Sequence, residues 1–166
     1  MSKGPAQLRL DRLLANMGYG SRKEIQMLAR AGAVRLDGQP IGDADRRVPV
    51  TPDLPARMTV QGKPLDPAPG MALMLHKPVG VTCSHKEAGA LVYDLLPSRW
   101  RRRDPAISTV GRLDKETSGL LLMTDDGALL HRIISPRSQL GKRYLLPPKA
   151  RPGDVRIYVS EGEENR

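Results

Sequence analysis

One carboxylate is placed for chemistry. Asp114 lies in the string Gly111-Arg-Leu-Asp-Lys-Glu-Thr-Ser-Gly119, with a basic residue, Arg112, two positions before it and a Thr117-Ser118-Gly119 turn just after it. The apolar run 120–123, Leu-Leu-Leu-Met, follows at once, and its composition predicts a buried strand. A tight loop exposes an acid while a core strand holds it still, which is the placement a catalytic carboxylate needs. Arg112 has the same alternation parity as Asp114 and is expected to face the same way. Other reactive groups are sparse. His76, His85 and His131 have no metal-ligand spacing, and pairing Cys83 with His85 supplies only two donors. No Walker-type phosphate loop and no dinucleotide-binding glycine fingerprint is present, so neither metal nor cofactor is expected.

The elements that must carry this loop are short. Residues 107–110 and 120–124 read as flanking strands, Asp125-Asp-Gly127 as a turn and 128–134 as a short helix. Upstream, 71–75 has the length and apolarity of a strand that His76-Lys-Pro-Val-Gly80 breaks; Val81-Thr-Cys83 reads as its resumption and 91–96 as a short helix. Short strands with interspersed helices predict an α+β domain around a mixed, mainly antiparallel sheet.

Ahead of this domain stands a helix-helix-strand module. Leu10, Leu13, Leu14 and Met17 share a helical face, and Gly18-Tyr-Gly20 stops that helix. Ser21-Arg-Lys-Glu24 forms a capping box at the next helix start, and Gly32 ends that helix. Val34-Arg-Leu36 alternates as a strand, and Asp37-Gly38 is a hairpin turn. The predicted division is 1–62 for the first module, 63–70 for a Pro/Gly-rich linker, part of which extends the module's last strand, and 71–166 for the second domain.

Charge narrows the partner. The 166-residue chain carries 27 Lys and Arg against 18 acids, a net charge of +9, which calls for a polyanion. No apolar stretch approaches the length of a membrane span. One cysteine and the lack of a signal-peptide core at the start fit the cytoplasm. Four Tyr, one Trp and no Phe argue against a multi-base stacking platform. Arg9, Arg12, Arg22, Lys23, Arg30 and Arg35 in the first module read either as a solvated basic face or as an RNA-binding surface.

The string Arg9-Leu-Asp-Arg-Leu-Leu14, with Gly18, Ser21-Arg22, Ala31-Gly-Ala-Val34 and Asp37-Gly38, resembles the S-four-type (alpha-L) RNA-binding domain over about residues 6–60. That resemblance favours the RNA-binding reading of the six basic residues. The string around Asp114 resembles the active-site motif of pseudouridine synthases, at Gly111, Arg112, Leu113, Asp114, Thr117, Ser118 and Gly119. Lys142-Arg-Tyr144 resembles the family's Lys-x-Tyr motif, and His76-Lys-Pro-Val-Gly80 its Asn-Lys-Pro strand and loop. Within the family the chain is most similar to the ribosomal small-subunit pseudouridine synthase A branch, on Met123-Thr-Asp-Asp-Gly127, His131-Arg132 and Ser135-Pro-Arg137.

The resemblance implies isomerisation of one uridine in ribosomal RNA, without cofactor, through Asp114 as nucleophile or as base toward the sugar. It gives Tyr144 the role of packing on the target base, with Lys142 beside it, and gives Arg112 either a place in the RNA where the base has flipped out or a phosphate contact. The remaining motif residues, Gly111, Leu113, Thr117, Ser118 and Gly119, support the loop. The implied partner is structured ribosomal RNA or a ribosomal assembly particle, met by a monomer. The match runs to about Leu146. From there the chain is several dozen residues shorter than the family pattern before Val155-Arg-Ile-Tyr-Val-Ser-Glu-Gly162, and the basic helix that pairs with the aspartate has no counterpart. The expectation is a smaller core and weakened synthase activity, with an RNA-binding protein carrying a vestigial, inactive synthase domain as the alternative.

Overall fold

The computed structural model describes residues 4–138 and 140–141. Strand β1 (Gln7–Arg9) leads into helices α1 (Leu10–Asn16) and α2 (Arg22–Arg30), followed by β2 (Val34–Leu36), β3 (Gln39–Pro40), β4 (Arg47–Pro49), helix α3 (Leu54–Arg57), β5 (Met58–Val60) and β6 (Lys63–Pro64). β1 pairs with β4, and β3, β2, β5 and β6 form a four-stranded sheet in that order; every ladder is antiparallel. Leu10, Leu13, Leu14 and Met17 are fully buried, as their helical spacing predicts, and they pack with Ile25, Val34, Val48 and Met58 in one core.

Local rules account for these boundaries. Ser21 Oγ accepts from Glu24 N at 3.2 Å and Glu24 Oε2 accepts from Ser21 N at 2.7 Å, which closes the predicted capping box. Asp37 and Gly38 both have positive φ, 50° and 79°, the geometry of the two-residue turn that joins β2 to β3. The stretch read as a linker holds β6, and Leu65 beyond it is buried in the first core.

A second core lies around a three-stranded antiparallel sheet of β7 (Ala72–Lys77), β9 (Gly119–Thr124) and β8 (Ser108–Thr109), with β9 central. β7 runs on through His76 and Lys77, two residues past the predicted break, because His76 pairs with Leu120 and Lys77 with Gly119; the break falls at Pro78, which has no N–H to continue the ladder. The expected strand at Val81-Thr-Cys83 is reduced to a single bridge between Thr82 and Leu91, and the expected helix at 91–96 is a 3₁₀ turn, Val92–Leu95.

The run 120–123, expected to be buried throughout, is corrected by the structure. Leu121 and Met123 are 2% and 0% exposed, whereas Leu120 is 66% exposed. Successive side chains in a strand alternate faces, and only one face of β9 meets the core. Helix α4 (Gly127–Ile134) and a 3₁₀ turn, Pro136–Ser138, follow, and the described residues from Ala128 on belong to a second unit. Among the described residues, no helix is long and apolar enough to cross a membrane.

Candidate active site

Asp114 stands exposed on the loop between β8 and β9. The loop is fixed in four ways. Leu113 packs against the second core. The Thr117 N–H donates to the Asp114 carbonyl at 3.0 Å, closing a turn around the carboxylate's own backbone. Beneath it lies Lys77, fully buried, whose ammonium donates to the carbonyls of Pro78 (2.9 Å), Lys115 (3.2 Å) and Thr117 (2.7 Å). An ammonium has three N–H donors, and here all three are used. The Gly80 N–H donates to the Lys115 carbonyl at 2.8 Å, so the loop after β7 also grips the Asp114 loop. Lys77 carries no site role in the sequence reading, where it appears only within His76-Lys-Pro-Val-Gly80 as part of the resemblance to the family's Asn-Lys-Pro strand and loop.

Arg112 and Asp114 are both exposed, and Arg112 reaches Glu87 Oε1 at 3.4 Å. Both partners are more than half exposed, so this pair contributes about 0–1 kcal/mol and leaves the guanidinium available to another anion. Asp114 makes no ion pair with any described residue. Gly111 has φ +78° and Gly119 φ +133°, which lets the chain reverse at both ends of the loop. Thr117 and Gly119 are partly buried and Ser118 is exposed. Lys142 and Tyr144 lie outside the described residues. Of the groups set aside as metal ligands, Cys83 is buried and His85 stacks on Tyr93 with ring centroids 3.8 Å apart.

The basic residues of the first module divide into two sets. Arg9 and Arg22 converge on the fully buried carboxylate of Asp11, each through two guanidinium nitrogens at 2.9–3.2 Å, and the Arg12 N–H adds a bond of 2.7 Å. Arg9 also meets Asp45. Arg35 donates to the Gly38 carbonyl of its own hairpin. Arg12, Lys23 and Arg30 are exposed and have no carboxylate partner among the described residues. Burial pushes the Asp11 carboxyl up, but the bonds from Arg9, Arg22 and the Arg12 amide outweigh it and hold the group below the usual carboxylate range. Its stabilising contribution is therefore complete above the unfolded value near ~3.9 and is lost as pH falls through the lower folded value. Asp11→Asn is expected to cost about 2–4 kcal/mol in urea unfolding at neutral pH, because two guanidiniums lose their anion. The gap from the unaltered protein should hold between pH 5 and 8 and narrow below about pH 4; a gap that persists undiminished in acid would contradict the ionic account.

With this geometry in place, comparison with known proteins gives consistent relatives. The profile of the RNA pseudouridylate synthase family matches residues 72–163, and that of the S4 domain matches residues 8–51. An uncharacterized RNA pseudouridine synthase of Bacillus subtilis is 44% identical over 138 residues, covering 82% of this chain and 56% of that protein. Ribosomal small subunit pseudouridine synthase A of Pseudomonas aeruginosa is 37% identical over 146 residues, covering 86% and 60%. Ribosomal large subunit pseudouridine synthase B of Salmonella typhi is 36% identical over 141 residues, covering 82% and 47%. The chain thus spans roughly half to three-fifths of the length of the curated relatives it matches.

Proposed function

This chain belongs to the RNA pseudouridylate synthase family, with an S4 domain ahead of the synthase domain, and from that premise we propose that it isomerises a uridine of ribosomal RNA to pseudouridine. The observation that carries the proposal is the Asp114 loop, an exposed carboxylate on a backbone locked by a buried lysine, inside the segment that the synthase profile matches. The reaction breaks the C1′–N1 glycosidic bond, turns the base and joins C1′ to C5. The proton leaves C5, N1 regains one, and atoms balance without cofactor. Asp114 serves as nucleophile or base toward the sugar. Arg112, held only by an exposed pair, is free to enter the RNA where the base has left the stack, offsetting part of an unstacking cost of a few kcal/mol. In this reading Tyr144 has the role of packing on the target base, with Lys142 as its companion in the Lys-x-Tyr motif.

The substrate is structured ribosomal RNA, free or in an assembling particle, and the enzyme works as a monomer in the cytoplasm. Relatives named for both subunits match with similar identity, so the choice of the small subunit rests on the run Met123-Thr-Asp-Asp-Gly127 with His131-Arg132 and Ser135-Pro-Arg137. The alternative of a vestigial synthase domain is not favoured, since the matched relatives are named as synthases. In the test, purified protein is incubated with unmodified small- and large-subunit ribosomal RNA, and pseudouridine is mapped by chemical adduct and primer extension. One new stop in small-subunit RNA is expected. No stop in either RNA, free or in particles, would reject the activity, and a stop confined to large-subunit RNA would reassign the substrate.

A further inference from the structure

The most basic run of the chain, Arg99-Trp-Arg-Arg-Arg103, belongs to neither the Asp114 loop nor the basic set of the S4 domain. Its arginines divide by direction. Arg99 stacks over the Tyr19 ring at 4.2 Å and donates to Asp66 Oδ2 at 3.1 Å, and Tyr19 Oη accepts from Asp66 N at 2.9 Å. The Arg99 carbonyl lies against Gly18, where a Cβ would come within 2.3 Å of that oxygen. The Asp104 N–H donates to the Asn16 carbonyl at 2.8 Å, at the end of α1. Arg103 is buried, pairs with Asp125 at 2.9 Å and donates to the Pro67 carbonyl. Trp100 packs against the second core. One side of the segment is therefore fastened to α1, to the stretch after β6 and to the end of β9.

The other side faces solvent. The 3₁₀ turn Trp100–Arg102 leaves Arg101 and Arg102 exposed. Among the described residues, Arg101 forms an ion pair with Asp94 at 3.4 Å, with both partners about half exposed, and the Arg102 guanidinium has no ion-pair partner. The fastened backbone needs no ordering when two outward guanidiniums bind, so only side-chain freedom is lost, and their planar forks match phosphate. Their segment is also tied to the helix that carries the exposed Arg12: Asn16, which receives the Asp104 N–H, lies about one turn, roughly 6 Å along the axis, beyond Arg12.

We propose that Arg101 and Arg102 form a second phosphate-binding site for the RNA, on a turn fastened to the S4 domain by Arg99 and the Asp104 N–H, so that both basic surfaces engage one folded RNA as a rigid body. The proposal rests on the reading of this protein as an RNA enzyme. Binding of labelled, unmodified small-subunit ribosomal RNA fragments, followed by fluorescence anisotropy across a salt series, tests it. The double variant Arg101→Gln, Arg102→Gln should weaken binding roughly tenfold near 0.1 M salt and flatten the logarithmic salt slope by about 1.4–1.8. Its melting temperature should not change, since both side chains are exposed. Asp94→Asn should shift affinity the opposite way, because it removes an anion and frees Arg101 while keeping an acceptor for the Leu91 N–H.

Unchanged affinity and slope in the double variant, with binding still weakened by Arg12→Gln, would overturn the proposal and leave RNA binding to the S4 face. Binding to acidic phospholipid vesicles with none to RNA would overturn both the proposal and the reading beneath it. Weakened RNA binding as expected, in a protein that makes no pseudouridine, would uphold the site and reject only the activity.

Discussion

Asp114→Asn is expected to abolish pseudouridine formation while leaving folding and RNA affinity intact. The carboxylate is exposed and makes no ion pair among the described residues, and the bond that shapes its turn uses the main-chain carbonyl, which asparagine keeps. Surface substitutions of this kind change stability by no more than about 0.5 kcal/mol. The chemistry has no such tolerance. An amide is a poor nucleophile and does not act as a base at neutral pH, so the rate should fall by at least about 10²–10⁴-fold, the scale of one acid–base contribution. Single-turnover conversion of ribosomal RNA, measured with anisotropy and thermal unfolding on the same sample, separates these effects. A folded, RNA-binding Asp114→Asn protein that still converts uridine at the original rate would remove Asp114 from the mechanism. Loss of RNA binding together with activity would instead give the carboxylate a role in binding.

The contrast between the two halves of the chain shows what a sequence can carry. The first module is legible because each local signal agrees with the final packing: the spacing of Leu10, Leu13, Leu14 and Met17, the Ser21–Glu24 box and the Asp37-Gly38 turn. The Asp114 loop is legible as a string, and the structure gives it an exposed carboxylate on a fixed turn. The face of β9 is not legible, because a continuous apolar run hides the two-residue period that turns Leu120 outward. Nor is the burial of charged groups. Asp11 looks like one charge set between Arg9 and Arg12 until Arg22, eleven residues later, closes on it. Which arginines of the 99–103 run point inward depends on Asp66, Asp125 and Tyr19, all distant in sequence. Lys77 is the extreme case, since two of its three acceptors lie 38 and 40 residues downstream. Hydrophobic period and turn chemistry are local, whereas the partners of a buried charge are set by the tertiary fold.

Lys77→Met should therefore have an effect out of proportion to a residue that touches no substrate. Methionine fills much of the same volume but offers no donor, so the Pro78 and Thr117 carbonyls lose their bond to this residue, while the Lys115 carbonyl keeps the Gly80 N–H. The carbonyls are part-buried, so each lost bond costs toward the lower end of about 1–3 kcal/mol, and relief from burying an ammonium returns part of it, for a net loss of about 1–2 kcal/mol. The loss falls on the turn that carries Asp114. A displacement of about 1 Å at a reacting group costs on the order of 10²-fold in rate, so kcat should fall by about that factor even well below the unfolding temperature. RNA affinity should change less than about twofold, because the exposed arginines proposed to contact phosphate are untouched. This split distinguishes a positioning role from general instability, which would lower the active fraction and restore full kcat when corrected for folded protein. Urea unfolding, RNA binding and single-turnover rates on one preparation decide the matter. A folded Lys77→Met protein with unaltered kcat would mean that the Asp114 loop keeps its working geometry without the buried ammonium.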